Sequence, residues 1–422
     1  MEQRRMEALR ILVGQVIREQ RREALPARRE PQERRGVVRL ADFLIEEAIA
    51  CGASDMHLEP QEDCLRLRYR RDGMLEEIGR LPLSLVPPLL SRFKVMAGMD
   101  IAQQQRPQDG HIHYRHGVDL RVSSLPTARG EVLVLRLLLD RQEGLELAHL
   151  GFSDAHLQLV QKLIHRPSGL VVLCGPVNSG KTSTLYAALG ELNAIERNLV
   201  TLEDPIERLL PGINQVELHE KAGLTFLSGL KAILRQDVTG ILLGEIRDEE
   251  TAAMAVRIAL TGHLLMTTLH TEDTVSAIYR FLEMGVPAYL LAATLSGVVA
   301  QRLVRRICPG CRVWREVPCG SKEAALLQEA WHPGARLAEG QGCAACGGTG
   351  YQGRTVLSEV LLIDETLREG ILQQWPRAKL KQRAIAQGMT SLWQDGCEKA
   401  MAGVTSLSEV RRVLYGDGGF VS

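Results

Sequence analysis

Apolar positions recur along this chain with two different periods, and the change from one to the other divides it. Over residues 41–50 they fall at helical spacing and stop at Gly52, which predicts an amphipathic helix. Alternation follows: Leu65, Leu67 and Tyr69 are interleaved with Arg66, Arg68 and Arg70 ahead of Asp72-Gly73, the pattern of a half-buried strand entering a tight hairpin. Val118, Leu120 and Val122 alternate with Asp119, Arg121 and Ser123, and another strand is expected over residues 132–138, its apolar run interrupted by Arg136. Beyond about Leu150 the chain switches to short, wholly apolar runs separated by amphipathic stretches, the order of a parallel sheet with helices packed on it. The fold class is therefore α/β, with a smaller N-terminal α/β domain over residues 36–147 and a larger sheet domain over 148–305. The boundary falls near residues 140–149, where charge and Gly144 replace the alternation.

One apolar run, residues 170–174, leads into Gly175, Pro176, Val177, Asn178, Ser179, Gly180, Lys181 and Thr182, and Ser183 continues into a helix-like stretch. G-x-x-x-x-G-K-[ST] between a strand and a helix is a phosphate loop. Its successive N–H groups curl around a β-phosphate at a positive helix N-terminus, Lys181 reaches the β/γ-phosphates, and the Thr182 hydroxyl ligates Mg²⁺. Two further apolar runs end in acids, residues 199–202 in Glu203-Asp204 and residues 241–244 in Glu245. Strand ends are where open α/β sheets bind ligands, so these carboxylates are candidates to polarise water or to organise Mg²⁺; helix capping is the bland alternative for the first pair. A last run is bracketed by His263 and His270, either of which offers a ring N–H for a γ-phosphate, His270 from the strand end near the phosphates.

Composition changes this picture at two places. Overall charge is balanced, 51 basic against 51 acidic side chains, which gives no global argument for nucleic acid. Residues 1–35 hold ten Arg and six Glu with few large apolar residues, a basic arm expected to be helical or disordered and unable to fold alone, either a solvated tail or a docking arm. Nine cysteines without a leader-like segment point to the cytoplasm. Four of them stand as Cys308-x-x-Cys311 and Cys343-x-x-Cys346, two thiolate turns that together complete a tetrahedral Zn²⁺ site and define a metal subdomain at 306–350. A redox pair would account for one turn and leave the other idle.

Taken in order, GPVNSGKT, TLEDPIE, LRQD…LLGEIRDEETA and TGHLLMTTLHTED resemble the P-loop, aspartate box, Walker B and histidine box of secretion ATPases of the GspE/PulE/PilB type, which serve type II secretion and type IV pilus assembly. GASDMHLEP, RYRRDGML, RPQDG and DLRVSSLPT resemble the same family's second N-terminal domain, and GTGYQGRTVLSEVL the segment after its four-cysteine insertion. The resemblance implies a RecA-like core, a C-terminal helical region over 351–422, and a homo-hexamer that binds ATP with Mg²⁺ between its two domains and Zn²⁺ at the four cysteines. It implies Glu203, Glu245 and His270 at the reacting phosphate, with Arg121 and Arg136 approaching it. It also implies a cytoplasmic motor peripheral to the inner membrane, acting on a platform and its cytoplasmic-domain proteins, with no nucleic-acid partner.

Three departures from that pattern matter. Asn178 stands where the family has Gly, and Asn tolerates left-handed backbone, so the loop is expected to survive. Val238-Thr239 replaces Pro-Asp, so slowed or altered hydrolysis is expected. The arginine-rich arm stands where many members carry another domain, which leaves the docking partner open. A retraction ATPase is disfavoured by the four cysteines. A RecA-like translocase or helicase remains the reading from another class, against which stands the scarcity of aromatics, 4%. A nucleotide-binding scaffold with little turnover is the third.

Overall fold

Residues 2–23, 35–138, 145–327 and 330–416 are described by a computed structural model. The chain divides into two units, Met1–Gln142 and Glu143–Ser422, so part of the expected boundary lies outside the described residues.

In the first unit, α1 (Glu2–Glu23) and α2 (Arg35–Ala50) precede β1 (Asp55–Pro60), β2 (Cys64–Arg71), β3 (Met74–Pro82), α3 (Val86–Met96), β4 (Gln108–His113), β5 (Asp119–Thr127) and β6 (Gly130–Leu138). The strands form one antiparallel sheet in the order β3-β2-β1-β6-β5-β4. Leu65, Leu67 and Tyr69 are buried, as their alternation with arginine requires, and they pack in one core with Leu44 of α2 and Phe93 of α3. Asp72 (φ 49°) and Gly73 (φ 85°) turn the hairpin with the left-handed pair its twist favours. The arm is less independent than its composition suggests. Leu9 and Val16 of α1, seven positions apart and so on one helical face, are buried in this same core; residues 24–34 lie outside the described residues. Arg136 does not interrupt β6, because strand residues alternate faces and Arg136 takes the outer one.

The second unit holds α4 (Asp154–Ile164), β7 (Gly169–Cys174), α5 (Lys181–Leu192), β8 (Leu199–Glu203), β9 (Asn214–Glu217), α6 (Phe226–Ile233), β10 (Gly240–Leu243), α7 (Glu249–Leu260), β11 (Leu264–Leu269), α8 (Thr274–Glu283), α9 (Ala288–Thr294) and β12 (Leu295–Ile307). Next come β13 (Arg312–Glu316), α10 (Lys322–Leu327), β14 (Arg336–Gly340), β15 (Tyr351–Leu362), α11 (Glu365–Leu372), α12 (Arg377–Ala386), α13 (Leu392–Met401) and α14 (Leu407–Tyr415). Its sheet runs β15-β12-β7-β11-β10-β8-β9 and is parallel except for β15. In β7, Leu170, Val172 and Cys174 enter the core on one face while Val171 and Leu173 enter the other, which is why the run is apolar without a break.

The expected helical region 351–422 begins instead with a strand. β15 lies antiparallel along β12 from Gly297 to Ile307, and Val356, Leu357, Val360 and Leu361 are buried between the helices of both faces. Helices start only at Glu365. The cysteine segment is therefore an excursion from the edge of the main sheet, built on the two-stranded β13-β14 ribbon. No described helix is long and apolar enough to cross a membrane.

Candidate active site

Strands β7, β11, β10 and β8 lie side by side and parallel, so the residues just past their carboxyl ends meet along one edge. Beyond β7 the chain enters the phosphate loop, tied to its neighbour by Gly175 N–H donating to Leu269 O at 3.2 Å. Asn178 takes φ 63°, the left-handed conformation expected to make it an acceptable stand-in for Gly. Gly180 (φ 86°) caps α5, which begins at Lys181. Thr182 is exposed on the first turn and Ser183 half-buried beside it.

Lys181 is buried, and its Nζ donates to the loop's own Gly175 O (2.7 Å) and Pro176 O (2.9 Å). Burial pushes its pKa down to about 8. Ser179 Oγ is buried without a hydrogen-bond partner, and added Cβ atoms at Gly175 or Gly180 would stand 2.5 and 2.8 Å from their nearest neighbours. A buried ammonium and an orphaned hydroxyl around a loop with no room for side chains fit the oxygens of a nucleotide's phosphates.

Glu245 follows β10, and His270 follows β11. His270 Nε2 lies 3.1 Å from Glu245 Oε2, while Arg247 bonds Glu245 Oε1 and reaches Asp204 Oδ2 at 3.2 Å. Burial raises the Glu245 carboxyl, but the hydrogen bonds from Arg247 and His270 outweigh it and hold it below the usual carboxylate range. Arg247 thus ties the ends of β8 and β10, a role that its place in the motif did not reveal. Glu203 is buried, 4% exposed, and its carboxylate accepts from Tyr186 Oη, Thr201 Oγ1 (2.5 Å) and Gln215 Nε2 (3.1 Å). Tyr186 lies five residues along α5 from Lys181 and Gln215 on the neighbouring β9; neither carried a sequence signal.

The two histidines part company. His263 precedes β11 and its carbonyl accepts from Gly169 N–H at the start of β7. The six residues of β11 carry it about 20 Å from His270, to the edge opposite the phosphate loop. The expectation that His263 contacts nucleotide is corrected for the loop of its own chain: strand direction, invisible in the motif, places it at the wrong end. There it hydrogen-bonds Thr261 Oγ1 through Nδ1 at 3.1 Å.

Arg121 and Arg136 belong to the first unit, directly opposite one another on β5 and β6. They continue a row in register across five strands, Arg70, Asp55, Arg136, Arg121 and His111. Like charges placed this way repel. Asp55 answers by accepting from Arg136 Nε at 3.0 Å and pairing with Arg70 at 3.6 Å.

The four cysteine sulfurs lie within 4.8 Å of one another. Four ligands ~2.3 Å from a tetrahedral ion stand ~3.8 Å apart. The recorded separations are 3.8 Å (Cys308–Cys343), 3.9 Å (Cys311–Cys346) and 3.8 Å (Cys343–Cys346). Cys346 also accepts N–H bonds from Cys343 and Gly350, both 3.2 Å; burial opposes ionisation, but these bonds hold its pKa down to about 6. The donor set fits a metal ion bound by thiolates.

A phosphate loop flanked by acid-tipped and histidine-tipped parallel strands defines a P-loop ATPase. Residues 30–412 match the model of a family described as type II/IV secretion system protein. Type II secretion system protein E of Klebsiella pneumoniae is 48% identical over 380 residues, 89% of this chain and 76% of that protein. Type IV pilus assembly ATPase PilB of Thermus thermophilus is 42% identical over 370 residues, 87% of this chain and 42% of that one. Among solved structures, the pilus retraction motor PilT with bound ADP is similar at a TM-score of 0.59 and 25% identity, covering 87% of this chain and 94% of its own. The chain belongs to the type II/IV secretion system protein family and is an ATPase of secretion-system type.

Proposed function

We propose that the chain is a cytoplasmic, homo-hexameric motor that couples ATP hydrolysis to assembly of a pseudopilus or pilus on an inner-membrane platform. The observation that carries this reading is the Glu245–His270 pair, joined at 3.1 Å on the strand ends beside the phosphate loop, where the presence or loss of a γ-phosphate is felt by β10 and β11 together. Lys181 leaves the Gly175 and Pro176 carbonyls for the phosphates, with Thr182 on Mg²⁺. Bound there, Mg²⁺ supplies neutralisation of phosphate charge. Glu245 and Glu203 position water, Glu203 by releasing one of its three donors. Arg121 and Arg136 offset charge developing on the phosphoryl group. Zn²⁺ is assigned to Cys308, Cys311, Cys343 and Cys346 as a structural ion. Assembly is favoured over retraction by this cluster and by the 48% identity to a type II secretion protein.

Mass photometry with a non-hydrolysable ATP analogue should show a particle of six chain masses, and the platform's cytoplasmic domains should stimulate turnover. A monomer under all nucleotide conditions would overturn the hexameric motor, and stimulation by single-stranded nucleic acid instead of the platform domains would move the assignment to the translocase class.

Nucleotide binding should also take up a proton. Lys181, held at about 8 in place of 10.5, is charged below that pH and neutral above it, and phosphates favour the ammonium. Affinity for ADP should therefore fall as pH rises through about 8. Calorimetry at about pH 8.5 in buffers of different ionisation enthalpy should register the uptake, and Lys181→Ala should lack it; buffer-independent heats would contradict it.

For the cysteines, about one Zn²⁺ per chain is expected, and Cys343→Ser should lower zinc content and thermal stability more than ADP affinity. Mass spectrometry of protein purified without chelator decides it, unchanged zinc after the substitution being the contrary result.

A further inference from the structure

Gln301 of β12 is fully buried at 0% exposure, directly after the apolar run 297–300, and both ends of its amide are used. Nε2 donates to Ser179 O in the phosphate loop at 2.8 Å, and Oε1 accepts from Thr184 Oγ1, on the first turn of α5, at 2.9 Å. The C=O and N–H of a trans peptide point in opposite directions. A donor holding the Ser179 carbonyl on the β12 side therefore turns the Gly180 N–H to the other side of the loop, the side left for a phosphate. Gly180 has no side chain for the same reason, since a Cβ there would stand 2.8 Å from Gln301 Nε2.

The backbone of β12 completes the contact. A Cβ on Gly175 would lie 2.5 Å from Gln301 O and 3.2 Å from Arg302 Nη1. Arg302 in turn donates to Gln301 O at 3.0 Å and to Glu272 O, two residues past His270, at 2.9 Å. Both glycines of the loop thus rest against one strand, which also holds the segment following the histidine.

We infer that Gln301 is a positioning residue for the hydrolytic reaction, a side-chain brace that fixes the phosphate loop in its binding shape through Ser179 and Thr184. It rests on the reading of residues 175–182 as the nucleotide site. It touches no reacting atom, so its loss should weaken phosphate binding before it slows chemistry.

Gln301→Met fills the same space without either hydrogen-bonding end. Two buried polar partners are left unsatisfied beside the phosphates, so KM for Mg-ATP should rise at least about tenfold, with a smaller fall in kcat and a melting temperature within a few degrees of the parent. Thr184→Val removes one of the two anchors and should raise KM about threefold. A packing role alone would lower the melting temperature and leave KM in place. KM for Gln301→Met within about twofold of the parent overturns the inference; if that protein does not fold, an unchanged KM in Thr184→Val overturns it. Lys181→Ala, assayed beside them, separates the two levels. Hydrolysis by Lys181→Ala would remove the nucleotide-site reading itself, whereas a silent Lys181→Ala with a normal Gln301→Met would remove only the brace.

Discussion

Lys181→Ala should release phosphate from Mg-ATP no faster than the reagent blank, while far-UV circular dichroism and melting temperature stay close to the parent. Among the described residues Nζ bonds only to Gly175 O and Pro176 O, both on the loop, so no described strand or helix depends on it. What disappears is the cation aimed at the β/γ-phosphates, and preorganised charges at a reacting phosphate contribute about 10²–10³ in kcat, or ~3–4 kcal/mol. Hydrolysis above about a tenth of the parental rate would remove Lys181 from the mechanism.

Glu245→Gln should give a protein that holds ATP and does not turn it over. The substitution keeps the length of the side chain, and an amide oxygen can still accept from Arg247 or His270, so the strand ends remain together. The negative charge is lost. Because Arg247 and His270 hold the Glu245 carboxyl below the usual range, it is ionised at neutral pH and able to act as a base or to organise Mg²⁺-bound water. General-base catalysis contributes about 10²–10⁴-fold, so turnover should fall by about that factor with ATP affinity little changed. Filter retention of radiolabelled ATP and phosphate release, measured on one preparation, check it; equal losses in both would leave Glu245 with a binding role only.

Much of this site can be read from short stretches of sequence, because a strand, a turn and a helix start are local events. The loop at 175–182, the acid after residues 241–244 and the tolerance of Asn178 for φ 63° all belong to that class. What escapes is set by partners distant along the chain. His263 and His270 look equivalent as letters, and only the direction of β11 beside β7 sends one to the phosphate edge and the other away. Glu203 reads as a free strand-end acid, yet Tyr186 of α5 and Gln215 of β9 close around it. Residues 351–362 lie more than forty residues beyond β12, and no local pattern shows that they return to pair with it as β15. The basic arm shows the same limit. Its apolar residues are too few to fold alone but sufficient for Leu9 and Val16 to complete a core made by others.

Phosphate release by the purified full chain is the most direct test of ATP-driven motor activity. With Mg-ATP it should run at least about tenfold above the Lys181→Ala protein and drop to that level when EDTA removes the divalent ion, despite Asn178 in the loop and Thr239 ahead of β10. A rate indistinguishable from Lys181→Ala at saturating Mg-ATP, in protein that still binds ADP, would contradict it and leave a nucleotide-binding scaffold in place of a motor.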